Sequence, residues 1–238
     1  MTLRQRFRRL RLYYKSLALF REAFANPWRA LVFPFLGGRF APRAGGPEIA
    51  VPHEHWVMLP TAARLSLIGA EPTWKKNKLH VVFAGHTFVM PAVSKMIGQS
   101  LREIFLQDDY RLRDLDLTGE VAIDIGAYIG DSSVALAARG ARVHAFEPIA
   151  ENYECLLETI EINGYKDRIL AHRVGLTLSK DPQVDSADFP VVSALPYLQS
   201  RGITRAHVLK MDCEGCEYDL LRDDSLIRFL NPERILLE

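Results

Sequence analysis

The stretch VAIDIGAYIGDSS, residues 121–133, decides which fold the sequence predicts. It begins with a short apolar run, continues through Gly126 and Gly130, and ends in three polar residues. Parallel strands that are covered on both faces have continuous apolar runs, and Asp and Ser are common where a helix begins. The stretch therefore predicts a buried strand, a tight turn and the start of a helix. We expect a ligand to bind at the turn.

Strand and helix patterns alternate from this stretch to the end of the chain. Strands are predicted at 121–125, 142–146, 169–174, 206–211 and 234–238, with helices at 131–139, 149–162 and 215–222 and a helix or loop at 191–200. Strands connected in this way form right-handed crossovers and a parallel sheet with helices on both faces. We therefore predict an α/β fold for 119–238, a doubly wound, Rossmann-like parallel sheet.

The first half of the chain has a different organisation. We predict a basic amphipathic helical arm at 1–36, a linker rich in Gly and Pro at 37–48, and a small α+β addition at 49–118. The addition contains four strand-like pieces, IAVPHEHWVML, ARLSLIG, LHVVF and TFVM. The last two are predicted to pair as an antiparallel hairpin, because Ala84-Gly85-His86 separates them.

The arm carries a large share of the positive charge. Residues 1–44 contain ten Lys or Arg and one Glu, which gives +9, and because the whole chain carries +1 the rest carries −8. Apolar residues recur every three or four positions from Leu3 to Phe24, and the aromatic residues Trp28, Phe33 and Phe35 follow. An anionic membrane surface is one expected partner. The alternative is a helix packed on the chain's own domain, and a nucleic-acid partner is less favoured than either.

The composition limits the class of protein. Hydrophobic residues make up 48% of the chain and charged residues 25%, as in ordinary globular proteins. The three cysteines do not indicate a disulfide scaffold, and the sequence has neither an apolar leader nor the run of about 18 to 20 apolar residues that spans a bilayer. The expected location is the cytoplasm, at the inner face of the membrane if the arm binds lipid.

An acidic residue follows the predicted turn at a spacing that is typical of a ligand site. Ligands of doubly wound sheets bind outside the carboxyl ends of the strands, where glycines allow close approach and a helix N-terminus favours an anionic group. Glu147 ends the second strand, 21 positions after Gly126, which is where a carboxylate binds ribose hydroxyls. An NAD-dependent oxidoreductase would share these features, but the turn lacks Gly-x-Gly-x-x-Gly.

Three motifs together resemble a known family. VAIDIGAYIGDSS, GARVHAFEP and VLKMDCEGCEYDLL resemble motifs of class I S-adenosylmethionine-dependent methyltransferases, and the last resembles the KxDxEGxE signature of the FkbM family. The resemblance extends from about Glu103 to the end of the chain. It implies an enzyme that uses S-adenosylmethionine to methylate a hydroxyl of a sugar, glycolipid or other natural-product scaffold. The alternative in another class is a cofactor-binding module without catalysis.

The resemblance also implies roles for residues at three strand ends. The ribose would bind to Glu147, and the adenine would lie against Val174. The methionine part of the cofactor would be surrounded by Asp124, Gly126, Ala127, Tyr128 and Gly130, with the backbone amides of 126–131 and the carboxylate of Asp124 available for its charged groups.

The motif KMDCEGCE, residues 210–217, supplies the candidates for catalysis. Alternation along a continued strand would place Lys210, Asp212 and Glu214 on one side. A hydroxyl is a poor nucleophile, so its methylation requires a base or a metal to take up the proton. Asp212 and Glu214 are the candidate bases or ligands, and Lys210 would keep a carboxylate ionised or attract an anionic acceptor. The alternative is that all three only cap the helix and shape the turn.

Cys213 and Cys216 form a Cys-x-x-Cys sequence, which allows a redox or zinc interpretation. There is no second cysteine pair and no histidine at ligand spacing, so we predict small buried apolar residues and no metal site.

The expected end of the domain differs from the family pattern. Class I methyltransferases continue past the fifth strand, whereas this sequence ends at Glu238, within the predicted fifth strand. The expectation is a class I fold that lacks the last strands, or one in which strands of 49–92 cover the sheet edge.

Overall fold

The computed structural model describes residues 10–11, 13–36, 38–75, 77–92, 97–179 and 189–237. The chain divides into two compact units, Met1–Arg102 and Glu103–Glu238. The start of the predicted arm, residues 1–9, and Glu238 lie outside the described residues. None of the helices in these ranges has the length and apolarity needed to cross a bilayer.

The first unit combines short helices with two antiparallel sheets. Its elements are α1 (Leu17–Ala23), α2 (Arg29–Leu36), β1 (Gly38–Phe40), β2 (Ile49–Val51), a 3-10 helix (His53–Met58), α3 (Leu59–Leu67), β3 (Glu71–Lys75), β4 (Lys78–Phe83), β5 (His86–Pro91) and α4 (Ile97–Leu101). Strand β1 pairs with β2, and β3, β4 and β5 form a separate sheet in that order. The predicted hairpin is confirmed. Ala84 and Gly85 both have positive φ, as its two-residue turn requires.

Two segments of this unit differ from the sequence prediction. The segment 37–48, predicted as a linker, includes β1, which pairs with β2. The piece ARLSLIG, predicted as strand-like, lies mostly in α3. The piece is helical for two reasons. Pro60 lies in the first turn, where its missing N–H breaks no helical hydrogen bond, and Ala62, Ala63 and Leu65 are buried at helical spacing.

An aromatic core stabilises the first unit. Its largest fully buried side chains include Phe20, Phe24, Phe33 and Phe40. The described part of the arm's apolar face therefore packs inside its own unit. Phe33, expected at a headgroup boundary, is buried instead, whereas Trp28 is 63% exposed.

The second unit contains the predicted doubly wound domain. Its elements are a π-helical turn (Arg102–Gln107, which begins one residue before the unit), β6 (Val121–Ile125), α5 (Asp131–Ala138), β7 (Arg142–Phe146), α6 (Ala150–Ile162), β8 (Ile169–His172), β9 (Gly175–Thr177), β10 (Val191–Ser193), α7 (Ala194–Ser200), β11 (Val208–Met211), α8 (Cys216–Leu220), α9 (Ser225–Leu230) and β12 (Arg234–Leu237). Five of the strands form one parallel sheet in the order β12-β11-β6-β7-β8. Strands β9 and β10 form a separate parallel pair, which the sequence did not predict.

The strand order positions the functional site. Counted along the chain, the sheet runs 3-2-1-4-5, the order of a dinucleotide-binding fold. The chain turns one way from β6 to β7 and the other way to β11, so the crevice for a ligand lies at the carboxyl ends of β6 and β11. The prediction of a Rossmann-like sheet is confirmed.

Candidate functional site

The turn after β6 has the left-handed backbone that its glycines allow. Gly126, Tyr128 and Gly130 have φ values of 78, 49 and 91°. The amides of Gly126 and Ala127 both donate to the carbonyl of Phe146, at 3.0 and 2.9 Å. The turn is therefore tied to the end of β7.

These bonds change the expected use of the turn's amides. Besides the two that bind Phe146, the amide of Gly130 donates to the carbonyl of Ala127 and that of Tyr128 donates to Glu147. Ala127 itself is fully buried. Four of the six amides of 126–131 therefore already have acceptors inside the chain.

Glu147 holds the turn and the start of α6 together. Its Oε2 accepts the amide of Tyr128 at 3.0 Å, and its Oε1 accepts the amide of Ile149 at 2.8 Å and the side chain of Asn152 at 3.4 Å. Burial raises the pKa of Glu147, and these hydrogen bonds offset the effect only in part. Since a carboxylate offers about four acceptor sites, capacity remains for a ligand hydroxyl.

Asp124 and Lys210 form a buried ion pair across β6 and β11. Oδ2 of Asp124 accepts the hydroxyls of Ser132 and Ser133, at 2.7 and 2.5 Å. Its Oδ1 lies 3.1 Å from Nζ of Lys210, yet it has no well-aligned hydrogen bond among the described residues. Lys210 instead donates to the carbonyl of Gly126 at 3.0 Å. At 3.1 Å, Lys210 and Asp124 therefore form an ion pair, although the two groups are not aligned as a hydrogen bond.

Lys210 is only 3% exposed, so it acts inside the site and not on its surface. Burial on its own lowers the pKa of Lys210, but the carboxylates of Asp124, Asp131 and Asp212 outweigh it and raise that pKa above its ordinary value. The lysine therefore remains protonated. It neutralises charge beneath the turn.

Asp131, at the start of α5, is a titratable residue that the sequence did not single out for the site. It is 6% exposed, and its Oδ1 accepts the amide of Ser132 at 2.9 Å. Burial raises the pKa of Asp131 to about 6, against the opposing attraction of Lys210. Its carboxyl group thus titrates near neutral pH.

Strand β11 ends at Met211, and this limits the predicted alternation. The amide of Asp212 still donates to the carbonyl of Ile125, and its carboxylate lies 3.8 Å from Nζ of Lys210. Glu214 has a left-handed backbone with φ of 58° and is exposed to solvent. The structure therefore brings Asp212 to Lys210 but leaves Glu214 outside, because the chain turns before strand geometry could align it.

Glu217 shapes the turn instead. Its carboxylate accepts the amides of Cys213 and Gly215. Burial acts to raise the pKa of Glu217, but backbone N–H groups, those of Cys213 and Gly215 among them, bring it below its ordinary value. The signal was present in the sequence, since an acidic residue in the first turn of a predicted helix commonly accepts free amides.

Cys213 and Cys216 are joined by a disulfide bond and are both partly exposed. The prediction of two small buried apolar side chains is therefore wrong. The turn between Asp212 and α8 is tight enough to bring the two Cα atoms to 5.5 Å, within the range that a disulfide requires. Val174, the residue expected beside adenine, follows β8 and packs on the apolar core of the unit.

Comparison with protein families identifies this unit. Residues 124–238 match the family described as the Methyltransferase FkbM domain. The match covers 115 of the 238 residues of the chain. The match begins at Asp124, near the end of β6, and includes the glycine turn, Glu147 and the whole of the KMDCEGCE motif.

Solved structures similar to the chain are methyltransferases and related proteins. TYW2 of M. jannaschii in complex with AdoMet shares 18% identity at a TM-score of 0.43, over 66% of this chain and 60% of that one. TYW2 of P. horikoshii in complex with MeSAdo shares 17% at 0.41, over 67% and 54%. The tRNA m1G37 methyltransferase of M. jannaschii shares 13% at 0.41, over 66% and 39%.

The chain thus spans between about two fifths and three fifths of the length of these proteins. No curated protein is a significant match to the chain.

Proposed function

We propose that the FkbM domain transfers a methyl group from S-adenosylmethionine to a hydroxyl group of a sugar, glycolipid or other natural-product scaffold. The observation that carries the proposal is the meeting of three motif segments at the switch point of the sheet. Glu147 lies on one side of the glycine turn, and the loop that begins at Asp212 lies on the other. A donor bound beside Glu147 would therefore face an acceptor held near Asp212.

The residues present fit the cofactor. Glu147 is a buried acceptor at the carboxyl end of the second strand, the place of a ribose-binding carboxylate, and Gly126 supplies the left-handed backbone of the turn beside it. Within the described part of the chain, Oδ1 of Asp124 is buried and has an ion pair with Lys210 but no aligned hydrogen bond. We assign the ribose to Glu147 and the methionine end to the turn that contains Gly126, Tyr128 and Gly130. Val174 is the candidate for contact with adenine.

Proton removal falls to Asp212. When bound, S-adenosylmethionine supplies a methyl group on a positively charged sulfur. The acceptor hydroxyl must lose its proton as it is methylated, and a positioned carboxylate accelerates such steps about 10²- to 10⁴-fold. Asp212 is partly exposed, and its carboxylate lies 3.8 Å from Nζ of the protonated Lys210. Lys210 is then a positioning residue, and Glu214 takes no part in proton transfer.

Calorimetry of the intact chain tests the proposal. S-adenosylmethionine and its demethylated product are expected to bind, NAD is not, and Glu147→Ala should weaken binding at least about tenfold, the loss of one or two charged hydrogen bonds. The matched control is Glu151→Ala, an exposed acidic residue on α6. Absence of binding by both sulfur compounds would refute the proposal. Binding without methylation of any sugar or lipid in a panel would favour a catalytically silent module.

A surface of the first unit favours an anionic membrane as an additional partner. Trp28, Leu31 and Val32 on and beside α2 are 63, 50 and 41% exposed, and the Arg29 guanidinium lies 5.5 Å from the Trp28 ring. Exposed apolar side chains among arginines suit a headgroup layer, where each cation contributes about 1 kcal/mol. A lipid-borne acceptor would then be presented to the enzyme at the membrane.

A further inference from the structure

The disulfide of the KMDCEGCE loop has features of a reversible site. Cys213 and Cys216 lie three positions apart, in the Cys-x-x-Cys spacing that is common in thiol–disulfide exchange. Both are partly exposed, as are the neighbouring Glu214, Gly215 and Tyr218, so a small thiol can reach the sulfur atoms. The third cysteine, Cys155, is not part of the disulfide and is fully buried, and this makes it an internal control.

The bond contributes little to holding the fold. A disulfide that closes only four residues constrains the unfolded chain less than one that closes a long loop. The turn has its own support, because Glu217 accepts the amides of Cys213 and Gly215. We therefore expect the domain to stay folded when the disulfide is reduced.

The loop nevertheless touches the glycine turn through its backbone. A Cβ placed on Gly126 would lie 1.8 Å from the carbonyl oxygen of Asp212 and 3.0 Å from Cα of Cys213. The amide of Asp212 also binds the carbonyl of Ile125 at 3.0 Å. A displacement of Cys213 would therefore move backbone atoms that lie against the turn after β6.

We propose that Cys213 and Cys216 are a reversible redox pair whose state sets the rigidity of the Gly126 turn. The oxidant is a low-molecular-weight disulfide, and the reductant is a thiol. One cysteine thiolate attacks a sulfur of the disulfide and releases one thiolate. The second cysteine thiolate then attacks the cysteine sulfur of the mixed disulfide, which forms the Cys213–Cys216 bond and releases the second small-molecule thiolate. Two cysteine thiols are oxidised to one bond, and the disulfide is reduced to two thiols.

The test uses the intact chain in glutathione buffers that range from oxidised to reduced, with thiol alkylation read by mass spectrometry. Cys213 and Cys216 are expected to pass together between unlabelled and doubly labelled within this range, while Cys155 stays unlabelled in the folded chain. A pair that is alkylated even in pure oxidised glutathione would overturn the proposal. So would a pair that resists an excess of dithiothreitol, which would mark a permanent bond.

Hydrogen exchange tests the effect on the turn without any cofactor. Amides of 124–130 and 212–220 are expected to exchange faster in the reduced chain than in the oxidised one. The double variant Cys213→Ser, Cys216→Ser should exchange at the reduced rate in both buffers. Equal exchange of 124–130 in the two states contradicts the coupling. Because Cys213, Cys216 and Glu217 place ligand atoms within 4.8 Å of one another, zinc is added as a separate arm, and protection of both thiols by zinc at every redox ratio would replace the redox pair with a metal site.

Discussion

At the level of single residues, Asp212 and Glu214 were equal candidates for the proton acceptor in the sequence, but the structure places them differently. Both are acidic and two positions apart, but only Asp212 lies near Lys210. Asp212→Asn should lower kcat about 10²- to 10⁴-fold, since the amide cannot take up a proton, and should leave the affinity for S-adenosylmethionine unchanged within about twofold.

The matched control is Glu214→Gln, which removes an exposed carboxylate from the same loop. Its kcat should remain within about twofold of the parent chain, as is usual for surface substitutions. Full activity of the Asp212 variant, measured as methyl transfer at saturating acceptor, would exclude the proton-accepting role.

Asp131 makes the stability depend on pH. Its pKa is raised to about 6 in the folded chain, from an ordinary 3.8. The folded state therefore holds the proton more tightly than the unfolded state, and ionisation of Asp131 lowers stability as pH rises from about 4 through 6. We expect Asp131→Asn to be more stable than the parent by about 3 kcal/mol at pH 8 and by about half as much at pH 5.

Urea unfolding at the two pH values measures this difference. The control is Asp116→Asn, because hydrogen bonds from Thr118 lower the pKa of the exposed Asp116. The sign is opposite there, and that variant should gain no stability as pH rises. An Asp131 variant whose advantage is the same at pH 5 and pH 8 would contradict a raised pKa.

At the level of elements, the close approach of two strand ends depends on Gly126. A side chain at this position meets the carbonyl oxygen of Asp212 at 1.8 Å, and the φ of 78° adds backbone strain. Gly126→Ala should therefore destabilise the domain by about 2 to 4 kcal/mol. Gly164→Ala is the control, since Gly164 has a similar φ of 71° with no atom within 4 Å of a built Cβ among the described residues.

The control variant should cost only about 1 kcal/mol, the strain of a left-handed alanine. The two free energies of unfolding, measured by denaturant titration, then separate backbone strain from contact with the Asp212 loop. Equal losses in the two variants would mean that the contact relaxes at no cost.

The elements that the sequence predicted well are the ones with an unambiguous pattern. The bounds of β6 and β7 agree with their predicted ranges, and most positions of both strands are buried. The piece ARLSLIG was misassigned because a short apolar run fits either period, and only the packing of α3 decides. The pairing of Lys210 with Asp124 depends on the register of β11 against β6, which no local pattern contains.

At the level of the whole molecule, positive charge is concentrated in residues 1–44, and this concentration points to a binding partner. The net +9 of residues 1–44 accompanies the exposed side chains of Trp28, Leu31 and Val32. We expect the chain to co-sediment with vesicles that contain phosphatidylserine but not with neutral phosphatidylcholine vesicles, and salt should weaken the binding.

The double variant Trp28→Ser, Leu31→Ser should lower the partition coefficient at least about tenfold, because one buried side chain of this size contributes about 1.5 to 3 kcal/mol. Leu67→Ser is the control, since Leu67 is 45% exposed on α3 of the same unit. Partitioning that is unchanged in the double variant would remove the membrane from the list of partners.

The contact between Gly126 and the carbonyl of Asp212 also bears on how such a domain can diversify. It is a contact of main chain with main chain, so the spacing between the two strand ends does not depend on which side chains follow Asp212. The exposed positions Glu214 and Tyr218 can vary without moving the turn beneath them. Related domains could therefore acquire different acceptors through substitutions in this loop, while the spacing of the two strand ends beneath it stays the same.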